Sequence, residues 1–185
     1  MKREIRFVVV VGALVGAFAM GKASGQEEGE KKVAEDPMAA WLEIGKPGPE
    51  HEHMKKAVGD WNCEVKSWSE PGAEPTVSKA TTTFSMSLDG RYLVQTYSGE
   101  FMGSPFTGLG YTAYNRTNRR YESIWMDSMS TGIMFMTGEE IQAGEAWEYK
   151  GSFFGPGGVE VKSRTLLKEA GDNERTMENY YDFGG

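Results

Sequence analysis

The chain has 185 residues, of which 24 are Gly, 12% are aromatic and 39% are hydrophobic, a composition that suits one globular domain with many tight turns. Its formal net charge of −7 disfavours nucleic acid and anionic membranes, which both call for a basic face. A single cysteine, Cys63, excludes an intrachain disulfide, and no fixed-period repeat points to a solenoid or propeller.

In chain order, Lys2, Arg3 and Arg6 precede an apolar run from Phe7 to Met20, and the small residues Ala23 and Gly25 stand before Gln26. This is the pattern of a targeting segment, so residues 1–25 are read as a signal peptide that is removed. The apolar run is shorter than the roughly 20 residues that cross a bilayer core. No Cys stands near the cleavage site to be acylated. Removing this segment takes Lys+Arg from 20 to 16, Asp+Glu from 27 to 26 and the net charge from −7 to −10. The mature protein is expected to be exported, periplasmic or secreted, with no membrane contact after cleavage.

Residues 26–36 are charged and aperiodic and read as a disordered linker. Residues 37–185 are expected to form the one folded domain. Asp36-Pro37 reads as an N-cap followed by proline at the first helical position, opening a helix through Met38, Trp41 and Leu42 that stops at Gly45. Pro49 opens a second helix, with His51, Met54 and Val58 on one side. His51 and His53 project to different sides of it, unlike the i, i+4 pair of a zinc helix, and are expected at the surface.

The rest reads as short strands at intervals of about ten residues separated by Gly, Pro, Asn and Asp clusters, the signature of an antiparallel meander that closes on itself. Trp61, Cys63 and Val65 alternate with Asn62, Glu64 and Lys66, so Cys63 is expected to point inward as a small hydrophobe. Ala80, Thr82, Phe84, Met86 and Leu88 share the inner side of the next strand. Asp89-Gly90 signals a type I′ turn. The strand from Arg91 to Phe101 is apolar on both sides, and its inner face is open. Gly108 and Gly110 share a parity, which fits bending, close approach of another group, or space for a ligand. Arg116, Arg119 and Arg120 read as a solvated hairpin tip. Tyr121 to Asp127 and Ile133 to Thr137 form a hairpin around Ser128 to Gly132. Asp182 to Gly185 reads as the start of a further turn with no strand after it, so the barrel either closes without that strand or lacks its last strand.

Gly48-Pro49-Glu50-His51, Val58-Gly59-Asp60-Trp61, Glu70-Pro71-Gly72, Gly90-Arg91-Tyr92-Leu93, Pro105-Phe106-Thr107-Gly108 and Trp125-Met126-Asp127-Ser128-Met129 together resemble the bacterial family called domain of unknown function 1579. The resemblance runs from about Met38 to Phe183. It implies a calycin-like, lipocalin-type antiparallel β-barrel with one more strand at the end; with the helices read above, the expected fold is an all-β up-and-down barrel with a short N-terminal helical segment. The resemblance implies no activity.

About eight strands enclose room for a packed core or one small ligand. The first reading is therefore a barrel that binds a small hydrophobic molecule. Its candidate liners are Trp61, Phe84, Met86, Trp125, Met134 and Met136, with Arg91 and Asp127 as polar contacts. A second reading is an enzyme using Asp127 or Glu100 as general acid or base, although no nucleophile elbow is present and no His follows residue 53. A third is a metal or haem protein, using the thioethers of Met126, Met129, Met134 and Met136 or the imidazoles of His51 and His53. A fourth is an interaction module with a filled core. No cofactor, metal ligand set or catalytic residue is assigned.

Overall fold

The computed structural model describes residues 3–11, 36–70 and 72–184. In chain order these are strand β1 (Arg3–Val11), helices α1 (Pro37–Ile44) and α2 (Pro49–Lys55), then β2 (Gly59–Trp68), β3 (Thr76–Ser87), β4 (Tyr92–Phe101) and β5 (Ser104–Asn115). The chain continues with β6 (Arg120–Asp127), β7 (Met134–Gln142), β8 (Ala146–Phe154), β9 (Glu160–Glu169) and β10 (Glu174–Asp182). The strands close a barrel, with β2 to β10 as a continuous antiparallel meander in sequence order. The expected all-β barrel with a helical lead-in is thus the fold, and it has ten strands among the described residues.

The strand at the seam departs from a purely antiparallel meander. β1 stands between β10 and β2 and runs parallel to both, pairing Ile5 with Arg175 on one side and with Cys63 on the other. Part of the segment read as a signal peptide is therefore a stave of the barrel wall. Its alternation suits the place, since Ile5 and Phe7 are buried while Glu4 and Arg6 are exposed. Outside, Arg6 pairs with Glu174 at 3.1 Å. At its start, the Arg3 guanidinium lies 5.4 Å from the Trp61 ring centre and hydrogen-bonds the Val58 carbonyl. The residues read as a linker, apart from Asp36, lie outside the described residues.

Alternation sets which side chains enter the lumen. In β2, Trp61, Cys63 and Val65 are buried, and in β3 so are Ala80, Thr82 and Phe84, as the sequence pattern predicts. The face of β4 that the sequence leaves open is settled by register. Thr82 pairs with Tyr97, Phe84 with Gln95 and Met86 with Leu93, so Leu93, Gln95, Tyr97 and Gly99 face in.

Two turns differ from expectation. The β3–β4 loop carries positive φ at Leu88 and Asp89 as well as at Gly90, and Arg91 N–H bonds the Ser87 carbonyl. It is thus a four-residue loop, and Leu88 is exposed rather than inward. The two-residue turn with positive φ at both positions is instead Met102-Gly103, between paired Phe101 and Ser104.

The helices close one end of the barrel. Asp36 caps α1 by accepting from the N–H groups of Met38 and Ala39, and Gly45 follows its last turn, as expected. α2 seats Met54 beside Tyr121 and Trp147. His51, only 4% exposed, is buried rather than at the surface, because its Nδ1 accepts from Gly48 N–H and its ring meets Tyr114 edge-on. Arg116 is no free hairpin tip, since its guanidinium donates to the carbonyls of Glu43 and Lys46 and ties the α1–α2 connection to the wall.

The core proper sits at this capped end. Ile5, Phe7, Ala57, Trp61, Cys63, Val65, Ala80 and Phe84 pack as one buried cluster. Trp61 is 2% exposed and its Nε1 donates to the Ala57 carbonyl at 2.7 Å, so its large apolar surface is buried without an orphaned donor. The Cys63 thiol is pushed up to about 12 by burial and stays protonated, as the inward reading expects.

Candidate functional site

The two ends of the barrel differ in how they are filled. Eight strands make an interior that side chains just fill, so ten leave more room. Toward the end away from the helices, the inward residues Gln95, Tyr97, Phe106, Thr112, Ser123, Trp125, Asp127, Met134, Phe153 and Tyr181 all keep partial exposure. This open half is the candidate site.

Its walls are shaped by glycines. Gly108 and Gly110 on β5 pair with Asp127 and Trp125 on β6, and the Trp125 indole lies flat over both. A Cβ on Gly108 would overlap the indole ring, and one on Gly110 would come within 3.2 Å of it. Of the readings open for these glycines, close approach is the one observed. Gly138 does the same for Tyr149. A ring laid against the wall presents a face to the lumen instead of plugging it, which is how an aromatic can rescue a strand glycine while leaving space.

On this side of the lumen the rings form a chain. Tyr97 lies 6.3 Å from Trp125, 5.8 Å from Phe106 and 5.7 Å from Phe7, each edge to face. Across the lumen Phe153 meets Tyr181 at 5.8 Å. Burial pushes the phenols of Tyr97 and Tyr181 up to about 12, with the charge of Asp127 adding to the effect on Tyr181. Both phenols are thus neutral hydrogen-bonding groups at any ordinary pH.

Asp127 ends β6. One of its carboxylate oxygens accepts from Trp125 Nε1 at 3.0 Å, and the other from Met129 N–H at 2.9 Å. It is therefore both a turn cap and the group that fixes the indole on its glycine bed. Two donors leave half of a carboxylate's lone-pair capacity free.

The sequence-based candidates do not form one cluster. Trp125, Asp127 and Met134 stand in the open half, and Met136 stands one step further in, against Gly151. Trp61 and Phe84 belong to the buried core of the capped end, and Met86 is half-buried on the same side of β3. Arg91 lies in the β3–β4 loop, donating to the Gly45 and Leu88 carbonyls. Glu100 is exposed and points away from the lumen, which leaves Asp127 as the lumenal carboxylate of the acid–base reading. Tyr97, Phe106, Phe153 and Tyr181 were missed. Phe106 shares its parity with Gly108 and Gly110, a usable signal, whereas Tyr97 was hidden by the two-sided β4.

A second polar group occupies the capped end. Arg175, 7% exposed, donates to Glu169 at 2.6 Å, and its guanidinium lies 5.2 Å from the Trp61 ring centre. His53 Nε2 lies 3.2 Å from the same Glu169 oxygen, and its ring is tilted onto Trp147 at 4.5 Å. Each charge here has a partner, so the arrangement reads as a buried clamp that holds α2 on the barrel.

A depression of about 540 Å³ over the outer wall between β1 and β4 is lined by Glu4, Arg6, Asn62, Glu64, Lys79 and Ser98 with Ile5, Cys63 and Ala80 beneath. Its charges alternate in sign and it has no aromatic wall. Among the described residues no group of three or more His, Cys, Asp or Glu converges as metal ligands do. The sequence profile of a family described only as a protein of unknown function (DUF1579) matches residues 46–185. No curated protein matches the chain.

Proposed function

Because the chain belongs to this DUF1579 family, whose description carries no activity, we propose from geometry that the barrel binds a small, largely apolar molecule in its open half. The observation that carries this reading is the Trp125 ring, held flat over Gly108 and Gly110 by its bond to Asp127, with Tyr97 and Phe106 beside it. Partly exposed aromatic faces inside a barrel are sites for flat apolar ligands, since each contact removes apolar surface from water on both partners. Export is part of the same proposal, supported by the basic and apolar pattern of residues 2–20.

The test is native mass spectrometry of the gently purified full chain, followed by quenching of tryptophan fluorescence with a panel of aromatic and aliphatic molecules. A stoichiometric mass excess, or saturable quenching that Trp125→Leu abolishes, is the expected result. A bare mass together with no saturable quenching across the panel would count against binding and favour the interaction-module reading.

A further inference from the structure

The charges in the lumen say what head group such a ligand carries. Among the described residues, the inward positions of the open half hold one charged side chain, Asp127. The remaining described inward positions there are uncharged: aromatic, Met, Gly, Val or polar, including Val161, Ser163, Thr165, Asn179 and Tyr181. At the inward positions of the other half, Arg175 and Glu169 are spent on one another and on His53, Arg3 lies over Trp61 and donates to the Val58 carbonyl, and Glu140 accepts from Gly144 N–H. A carboxylate or phosphate ligand would meet Asp127 with no cation at the described inward positions of that half to pair with it, and its charge would face the negative faces of the rings. A positive head group meets the opposite on both counts, since ring faces and a half-used carboxylate each attract it.

Resting on the reading that the open half is a ligand site, we propose that it takes an organic cation. The ligand is an arylalkyl or alkyl amine whose apolar body lies among Tyr97, Phe106 and Trp125 and whose ammonium points to Asp127. Tyr181 supports the same end as a neutral phenol, held so by burial and by the charge of Asp127. Phe153 closes the wall behind it.

The test uses the full chain and three probes with one apolar body: naphthylethylamine, the corresponding alcohol and the corresponding carboxylic acid, titrated by calorimetry. The amine is expected to bind about tenfold or more tightly than the alcohol, with the acid weakest, from one charge-assisted contact plus cation–π attraction. Asp127→Asn is expected to bring amine and alcohol together, and Asp127→Glu to keep the preference. The probe series on the unsubstituted chain decides the head group even if both variants fold poorly. An alcohol that binds as well as the amine would overturn the cation assignment while leaving the binding reading standing. An amine preference that survives in Asp127→Asn would overturn the role of Asp127. Binding of none of the three would sink the binding reading itself.

Discussion

Gly108 and Gly132 separate two uses of glycine. No heavy atom lies within 4 Å of where a Cβ on Gly132 would stand, whereas a Cβ on Gly108 would overlap the Trp125 indole. Gly108→Ala is therefore expected to lift the ring off its bed, cost about 1–3 kcal/mol by overpacking, and change the tryptophan near-UV dichroism. Gly132→Ala is expected to leave both the denaturation midpoint and that spectrum within error. Equal behaviour of the two variants would show that the flat seating of Trp125 is not what requires glycine. At the opposite end, Trp61→Ala is expected to cost about 3–5 kcal/mol in urea denaturation, because this ring is core and not a lumenal face. Residue type alone cannot separate these tryptophans. Trp61 and Trp125 both sit in alternating strands, and only the neighbours brought by register tell a packed ring from a presented one.

Among the elements, α2 is expected to be held in a pH-dependent way, because it carries both histidines. His51 is buried, and His53 is half-buried beside Glu169, with Lys56, Arg175 and Glu140 acting on it at longer range. Burial is the largest cause for both and pushes their pKa values below the ordinary histidine value of about 6.5. Arg116 and Arg91 add to this at His51, while the neighbouring glutamates oppose it. A folded-state pKa below the unfolded one means that the unfolded chain binds more protons as the pH falls. The contribution is complete above about 6.5 and is lost toward the folded value. Thermal stability is expected to drop between pH 7.5 and 5.5, and His53→Gln is expected to flatten part of that slope. A slope unchanged in both His53→Gln and His51→Asn would mean that neither histidine carries it. The elements themselves were largely legible. Asp36-Pro37 with Gly45 delimits α1, and the alternation in β2 and β3 names their inner faces. α2 gave less away, because its burial comes from strands that lie far along the chain, Tyr114 on β5 and Trp147 on β8.

Across the whole molecule, closure depends on a strand that sequence reading assigns elsewhere. Phe7 is buried against Tyr97 and lies at a pairing position with both Met177 and Val65. Phe7→Asp places an uncompensated charge in that core. It is expected to loosen the seam, so that amide hydrogen exchange quickens in β2 and β10 while β5 and β6 remain slow. Uniform acceleration in every strand would argue that the seam does not open on its own. The sequence could not show this role for β1, because an apolar run behind basic residues has the same composition whether it addresses a translocon or fills a wall. The difference lies in partners at the far end of the chain.

That distance has a consequence in time. β2 and β3 can pair as soon as their hairpin exists, but β1 needs β10, so the seam joins the first described strand to the last and closes the longest loop among the described strands. Until β10 arrives, residues 3–11 are free to be handled by anything else that recognises them. On the export proposed above, wall closure and recognition of this segment would compete for the same nine residues, and the faster process would decide the fate of each chain. A chain that folds first holds residues 3–11 in the wall of a finished barrel. A chain in which that proposed recognition came first would carry the facing edges of β2 and β10 as an open groove.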